Sequence, residues 1–208
     1  MGYTTIRAGA QDEFIERRSR FIGHILPVQH EEQAVAFIEQ MRQQYWDANH
    51  NVYAYILREG NLRRYSDDGE PQGTAGIPVL DVLQKEGLTD VCVVVTRYFG
   101  GILLGGGGLV RAYTHGAKIA VDAAERVRMC ECRTLRLISD YGLYGKLNYL
   151  LPQFGILTLT ADFGAEVTLT LRIRQEQQAG FEKQLQEISA GSMKPEVIEE
   201  GFAEMPEI

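Results

Sequence analysis

Two short stretches of this chain hold the residue types that do chemistry. The first, RYFGGILLGGGGLVRAY (97–113), sets six glycines between Arg97 and Arg111, with Tyr98, Phe99 and Tyr113 among them. Glycine gives up more backbone freedom on folding than any other residue, so such a run implies positive φ or a close approach of the backbone. If Gly105, Gly106, Gly107 and Gly108 open a helix, their unpaired amides and the helix dipole attract an anion. Arg97 and Arg111 would flank it. The standard phosphate fingerprints do not fit. Gly100 and Gly105 have the Walker spacing, but Gly106 and Gly107 stand where Lys and Ser or Thr belong. Counted from Gly105, the dinucleotide pattern meets Val110 at its third glycine. The competing reading is tight packing, with glycines where a Cβ would clash.

The second stretch, SDDGEPQGTAG (66–76), places Asp67, Asp68 and Glu70 within four residues. A solvated Asx-type turn is the default reading of such a sequence. Charge-assisted pairing with the arginines of the first stretch ranks next. Binding of a hard cation such as Mg²⁺ ranks third. His50, in DANHNVYAY, lies just before a strand pattern and is the histidine nearest to function, although a lone histidine is usually a structural hydrogen bonder. Cys130-Glu131-Cys132 has no second pair and does not read as a zinc site. No G-x-S-x-G nucleophile pattern occurs. No catalytic residue, metal ligand or cofactor is therefore expected.

The elements around these stretches follow from periodicity. Strands are expected at Glu13 to Arg20 and Arg20 to Val28, then a helix at Glu31 to Tyr45 carrying Ala34, Phe37, Ile38 and Met41 at helical spacing. A strand follows at Asn51 to Arg58, the acidic turn, and a short helix from Ile77 to Glu86 capped by Thr74. DVCVVVTRYF (90–99) reads as a central strand covered on both faces. A long alanine-rich helix runs from Gly107 or Gly108 to about Arg126. Past a boundary near Val127 to Arg133 come a strand (133–139), a helix, two alternating strands (156–163 and 166–174), a second helix around Phe181, Leu185 and Ile188, and a weak strand at Val197 and Ile198. That order is the ferredoxin-like β-α-β-β-α-β motif. The acidic end, Glu196 to Ile208, is expected to fray.

With 208 residues, a net charge of −7 and 45% hydrophobic composition, the chain is an ordinary globular protein without a wholesale basic footprint. Residues 97–118 nevertheless hold Arg97, Arg111 and Lys118 and no acid. No apolar run is long enough to span a membrane, the start has no secretory pattern, and three cysteines fit a reducing compartment, so a cytoplasmic location is expected.

DDGEPQGTAG (67–76), VVVTRYFGGILLGGGGLVRAY (93–113), DANHNVYAY (47–55) and RRSRFIGHILPV (17–28) together resemble the signatures of the IMPACT family, in its bacterial YigZ branch. One departure is Gly106, where the family usually has threonine. The resemblance implies an α+β protein of two domains. Residues 1–130 would form a βαβ domain similar to domain IV of elongation factor G, and residues 131–208 a ferredoxin-like domain similar to its domain V. It also implies a role in translational control, since eukaryotic relatives compete for a ribosome-associated activator of a stress kinase. The expected function is a translation-related regulator binding RNA or the ribosome through Arg97, Tyr98, Gly105–Gly108 and Arg111. Arginines would meet phosphate and Tyr98 would stack on a base. His50, Asp67, Asp68 and Glu70 form the second motif of the same site. The alternatives are a metal-dependent hydrolase or phosphotransferase using the acidic turn, and a protein-interaction regulator without nucleic acid.

Overall fold

The computed structural model describes residues 2–205. The chain packs as two units: Thr4–Val127, and a second in which residues 2–3 join 128–205. The first contains most of strand β1 (Tyr3–Ile6, of which Tyr3 belongs to the other unit), strands β2 (Ala10–Glu16) and β3 (Ser19–Pro27), helix α1 (Glu31–Gln44), strands β4 (His50–Leu57) and β5 (Leu62–Ser66), helix α2 (Gly76–Lys85), strand β6 (Val91–Tyr98) and helix α3 (Gly106–Ala123). Its sheet runs β2-β3-β6-β4-β5 with every neighbouring pair antiparallel. Strands β3 and β4, joined through α1, are therefore parallel with β6 between them, a split βαβ unit.

The near-continuous apolar run of β6 is explained by layers on both faces. Val91, Val93 and Val95 pack with Val79, Leu83, Tyr113 and Ala117 of α2 and α3. Cys92 and Val94 point the opposite way, into a cluster with Ala34, Phe37, Ile38 and Met41 of α1. Side chains alternate across a strand, so one strand feeds two cores.

The second unit holds β7 (Arg126–Ser139, most of it here), α4 (Tyr141–Leu150), β8 (Leu157–Phe163), β9 (Val167–Arg174), α5 (Gln175–Ser189) and β10 (Glu196–Glu204). Strands lie in the order β10-β7-β9-β8, all antiparallel. Leu147, Leu150, Phe181 and Leu185 from the two helices cover one sheet face at Leu135, Leu137, Val167, Leu169 and Leu171. The molecule is thus α+β with two domains, the second ferredoxin-like.

Several local expectations are corrected. The first hairpin turns at Arg17-Arg18, not at Arg20, and both turn residues have positive φ (46° and 67°). Strands β1 and β5 were not expected. Thr74 does not cap α2; its hydroxyl donates to the Pro71 carbonyl, and Asp67 takes the capping role. The acidic end is ordered as far as Glu204, because Glu196 pairs with Arg136 at 2.5 Å and Glu200 with Arg133 at 2.8 Å along the β10–β7 ladder. Residues 206–208 of that expectation lie outside the described residues.

Candidate anion-binding site

Strand register brings the first two site residues together. His50 opens β4 directly opposite Arg97, near the end of β6. Both face the α2/α3 side of the sheet. From the connection between β5 and α2, Glu70 reaches over them. Its Oε1 accepts from Arg97 Nη1 at 2.5 Å and from the Tyr113 hydroxyl of α3 at 2.7 Å, and lies 3.7 Å from His50 Nε2. Glu70 is 8% exposed, Arg97 5% and Tyr113 0%. Burial, reinforced by the bond to the Glu70 carboxylate, pushes the Tyr113 phenol far above its ordinary range. A buried carboxylate needs this many partners, because leaving it unpaired away from water is costly.

The other two acids go elsewhere. Asp67 accepts from the amides of Gly73, Ala75 and Gly76 at 2.8 to 3.1 Å and so closes the N-terminus of α2. Asp68 accepts from the Asn51 amide at 2.6 Å and from Arg42 at 3.3 Å. Its carbonyl accepts from His50 Nδ1 at 2.8 Å. A carbonyl can only accept, so that nitrogen carries the proton and Nε2 is turned toward Glu70. The solvated acidic turn ranked first from sequence is thereby replaced by internal pairing. The three carboxylates diverge onto separate partners, and no group of three His, Cys, Asp or Glu is set for a metal ion among the described residues.

Glu70 and Arg97 both line a cleft of about 370 Å³, with His50, Phe99, Leu103, Gly105 and Gly106 among the other walls. Gly105 is the N-cap of α3 at φ 71°, a conformation that strains any residue with a Cβ. No side chain caps the helix, and its first turn has no acid. Leu109 N bonds to the Gly105 carbonyl, which leaves the amides of Gly106, Gly107 and Gly108 as the orphan donors of the first turn.

The packing explanation holds for part of the glycine run. A Cβ at Gly100 would meet the Arg18 carbonyl oxygen at 2.1 Å, so the glycine loop is locked onto the first hairpin. It fails at Gly106 and Gly107. Neither has positive φ, and an added Cβ would find its nearest neighbours at 3.9 and 3.7 Å, ordinary contact distances. Glycine in a helix costs about 1 kcal/mol relative to alanine. The fold gives no steric return for it at these two positions.

The aromatic assignment shifts by one residue. Tyr98 follows Arg97 and so points to the opposite sheet face, where its hydroxyl donates to Asp47 at 2.8 Å. Phe99 follows Arg97 on the cleft side and stacks on its guanidinium at 5.4 Å, with Phe21 at 5.5 Å. Arg97 Nε is buried without a hydrogen-bond partner. Arg111 is exposed, one helical turn on from Gly107 and Gly108. Sequence reasoning missed Phe99 and Tyr113; strand alternation from Arg97 was the available signal for Phe99.

Residues 17–121 match the Impact N-terminal domain, and residues 137–192 match a domain of unknown function, DUF1949. The chain is 35% identical to the IMPACT family member YvyE of Bacillus subtilis, over 91% of this chain and 88% of that protein. It is also 35% identical to the IMPACT family member YigZ of Escherichia coli, over 88% and 92%. A crystal structure of a hypothetical protein superposes with a TM-score of 0.62 at 32% identity, over 95% of this chain and 98% of that one. The two domain matches and the end-to-end likeness to YvyE and YigZ place this chain in the IMPACT family.

Proposed function

We propose that this chain is a translation-related regulator that binds RNA or the ribosome in the cytoplasm, and that it works by binding rather than turnover. The observation that carries this reading is the bare N-terminus of α3. Three glycine amides open the helix with no capping side chain, the first of them, Gly106, on the wall of the cleft that Arg97 also lines, and Gly106 and Gly107 have no steric reason inside the fold. A phosphate group is the natural occupant of such an end. Arg97 backs the cleft with its charge neutralised by Glu70, Phe99 offers a ring to a base, and Arg111, exposed one turn along α3, meets a backbone phosphate of the same strand. Membership in the IMPACT family supports the link to translation.

The test is titration of the intact protein with single-stranded RNA, duplex RNA and ribosomes at low salt. Binding is expected to weaken with salt at a shallow slope, about −0.7 to −0.9 for each phosphate contact. Arg111→Ala is expected to lower that slope by about one contact with the fold intact. Gly107→Val adds bulk where the fold has room, so it is expected to keep the native melting temperature and lose binding. Absence of binding to all three probes would overturn the proposal. A protein partner without nucleic acid is the second reading, favoured by Leu103, 81% exposed on the rim of the cleft. It would then lead.

A further inference from the structure

A second cleft, of about 460 Å³, lies on the other side of Leu104, which belongs to both walls. The first cleft takes in Gly106; the second takes in Gly108 and Arg111, further along the same turn of α3. Its other wall is the β2–β3 hairpin, with Phe14, Glu16 and Arg17, and His115 of α3 closes it. The His115 ring sits edge-on to Phe14 at 4.4 Å, giving one apolar wall. Two cations, Arg17 and Arg111, face a single acid, Glu16, which lies 3.9 Å from Arg17 with both side chains more than half exposed. Arg111 and Arg18 make no ion pair among the described residues.

The hairpin tip itself is unusual. A two-residue hairpin with positive φ at both central positions prefers Asn-Gly, yet here the residues are Arg17 and Arg18. Left-handed backbone at bulky residues persists only where the surroundings hold it, and such strain gathers at functional sites. The surroundings do hold it. Gly100 N donates to the buried Ser19 hydroxyl at 3.1 Å, and Gly100 leaves room for the Arg18 carbonyl. The tip is thus clamped to the same glycine loop that forms the first cleft, and two arginines occupy positions where local conformation disfavours them.

We infer that this second cleft is a subsite for an adjoining nucleotide of a single RNA strand, with Arg17 and Arg111 on its phosphate and the Phe14–His115 wall against its sugar or base. This rests on the RNA-binding reading above and names where the strand continues. Two neighbouring clefts that share one wall and are lined by one helical turn suit a flexible single strand better than a rigid duplex.

The test replaces the tip by the residues its backbone prefers, Arg17→Asn with Arg18→Gly, in the full chain. Thermal melting and titration with single-stranded oligouridylate across a range of salt are read together. The expected result is a melting temperature equal to or above that of the unaltered protein, with a salt slope shallower by about 0.7 for each lost phosphate contact. A structural role for the arginines would move the melting temperature down and leave the slope unchanged. If the altered protein binds oligouridylate with the original affinity and slope, the subsite is refuted while RNA binding stands. If the unaltered protein binds no RNA, both proposals fall.

Discussion

Glu70 and Arg97 form a buried ion pair whose two members depend on each other more than the fold depends on the pair. Removing one partner leaves a charge stranded out of water, whereas replacing both with apolar residues of similar volume does not. Arg97→Ala is therefore expected to destabilise the N-terminal unit by about 3 kcal/mol or more, and Glu70→Leu with Arg97→Met by much less than the single changes together. Tyr113→Phe removes only one of the bonds to Glu70 and should cost about 1 kcal/mol. Urea melts of the unaltered protein, Glu70→Leu, Arg97→Met and the double variant check the cycle; a double change costing the full sum of the two single changes would refute it. The attraction between the acidic turn and the arginine-flanked loop was legible in the sequence as a possible charge pairing. Tyr113 was not, because its hydroxyl meets an acid 43 residues away while its place in the helical pattern marks it only as core. The choice between Tyr98 and Phe99 was decidable in principle, since alternation from a cleft-facing Arg97 selects Phe99.

At the scale of elements, periodic patterns were legible and long-range supports were not. The valines of β6, the apolar stripe of α1 and the alternation in β8 and β9 announce themselves, because burial on one or two faces writes a period into the sequence. The cap of α2 does not. Thr74 stands at a plausible capping position, but Asp67, nine residues before Gly76, holds the amides. Asp67→Ala is expected to cost about 2 kcal/mol, against a few tenths for Thr74→Ala. Strand β3 adds a pH dependence. His24 is 3% exposed, its Nε2 has no partner, and burial pushes its imidazole down from 6.5 to about 4. The folded protein therefore holds His24 neutral while the unfolded chain protonates it. Stability is full above the ordinary histidine range and falls as pH drops from 6.5 toward about 4, by at most about 3 kcal/mol. His24→Phe should flatten that part of a stability–pH curve. An unchanged curve in the variant would show that other groups dominate the acid response.

Over the whole molecule, the two units carry separate cores and unequal chemistry. The hydrophobic cluster around Leu135, Leu169 and Phe181 shares no residue with those around β6. Residues 133–208 hold seven basic and eleven acidic side chains, so this part of the chain repels nucleic acid rather than attracting it. The β-α-β-β-α-β order was readable because each element has its own strong period. What the C-terminal strand would do was not, since Glu196–Glu204 has a weak period and takes its place through the ladder with β7, where Glu196 and Glu200 meet Arg136 and Arg133. If the candidate site lies wholly within Thr4–Val127, damage confined to the other core should leave it working. Phe181→Ala empties a fully buried ring position in that second core, which typically costs about 3 to 5 kcal/mol. Hydrogen exchange is expected to quicken over 128–205 and to stay unchanged over the first unit. RNA affinity and its salt slope, measured well below the melting transition, should match those of the unaltered protein. A loss of RNA binding in this variant, with exchange in the first unit still slow, would mean that the C-terminal unit supplies part of the binding surface.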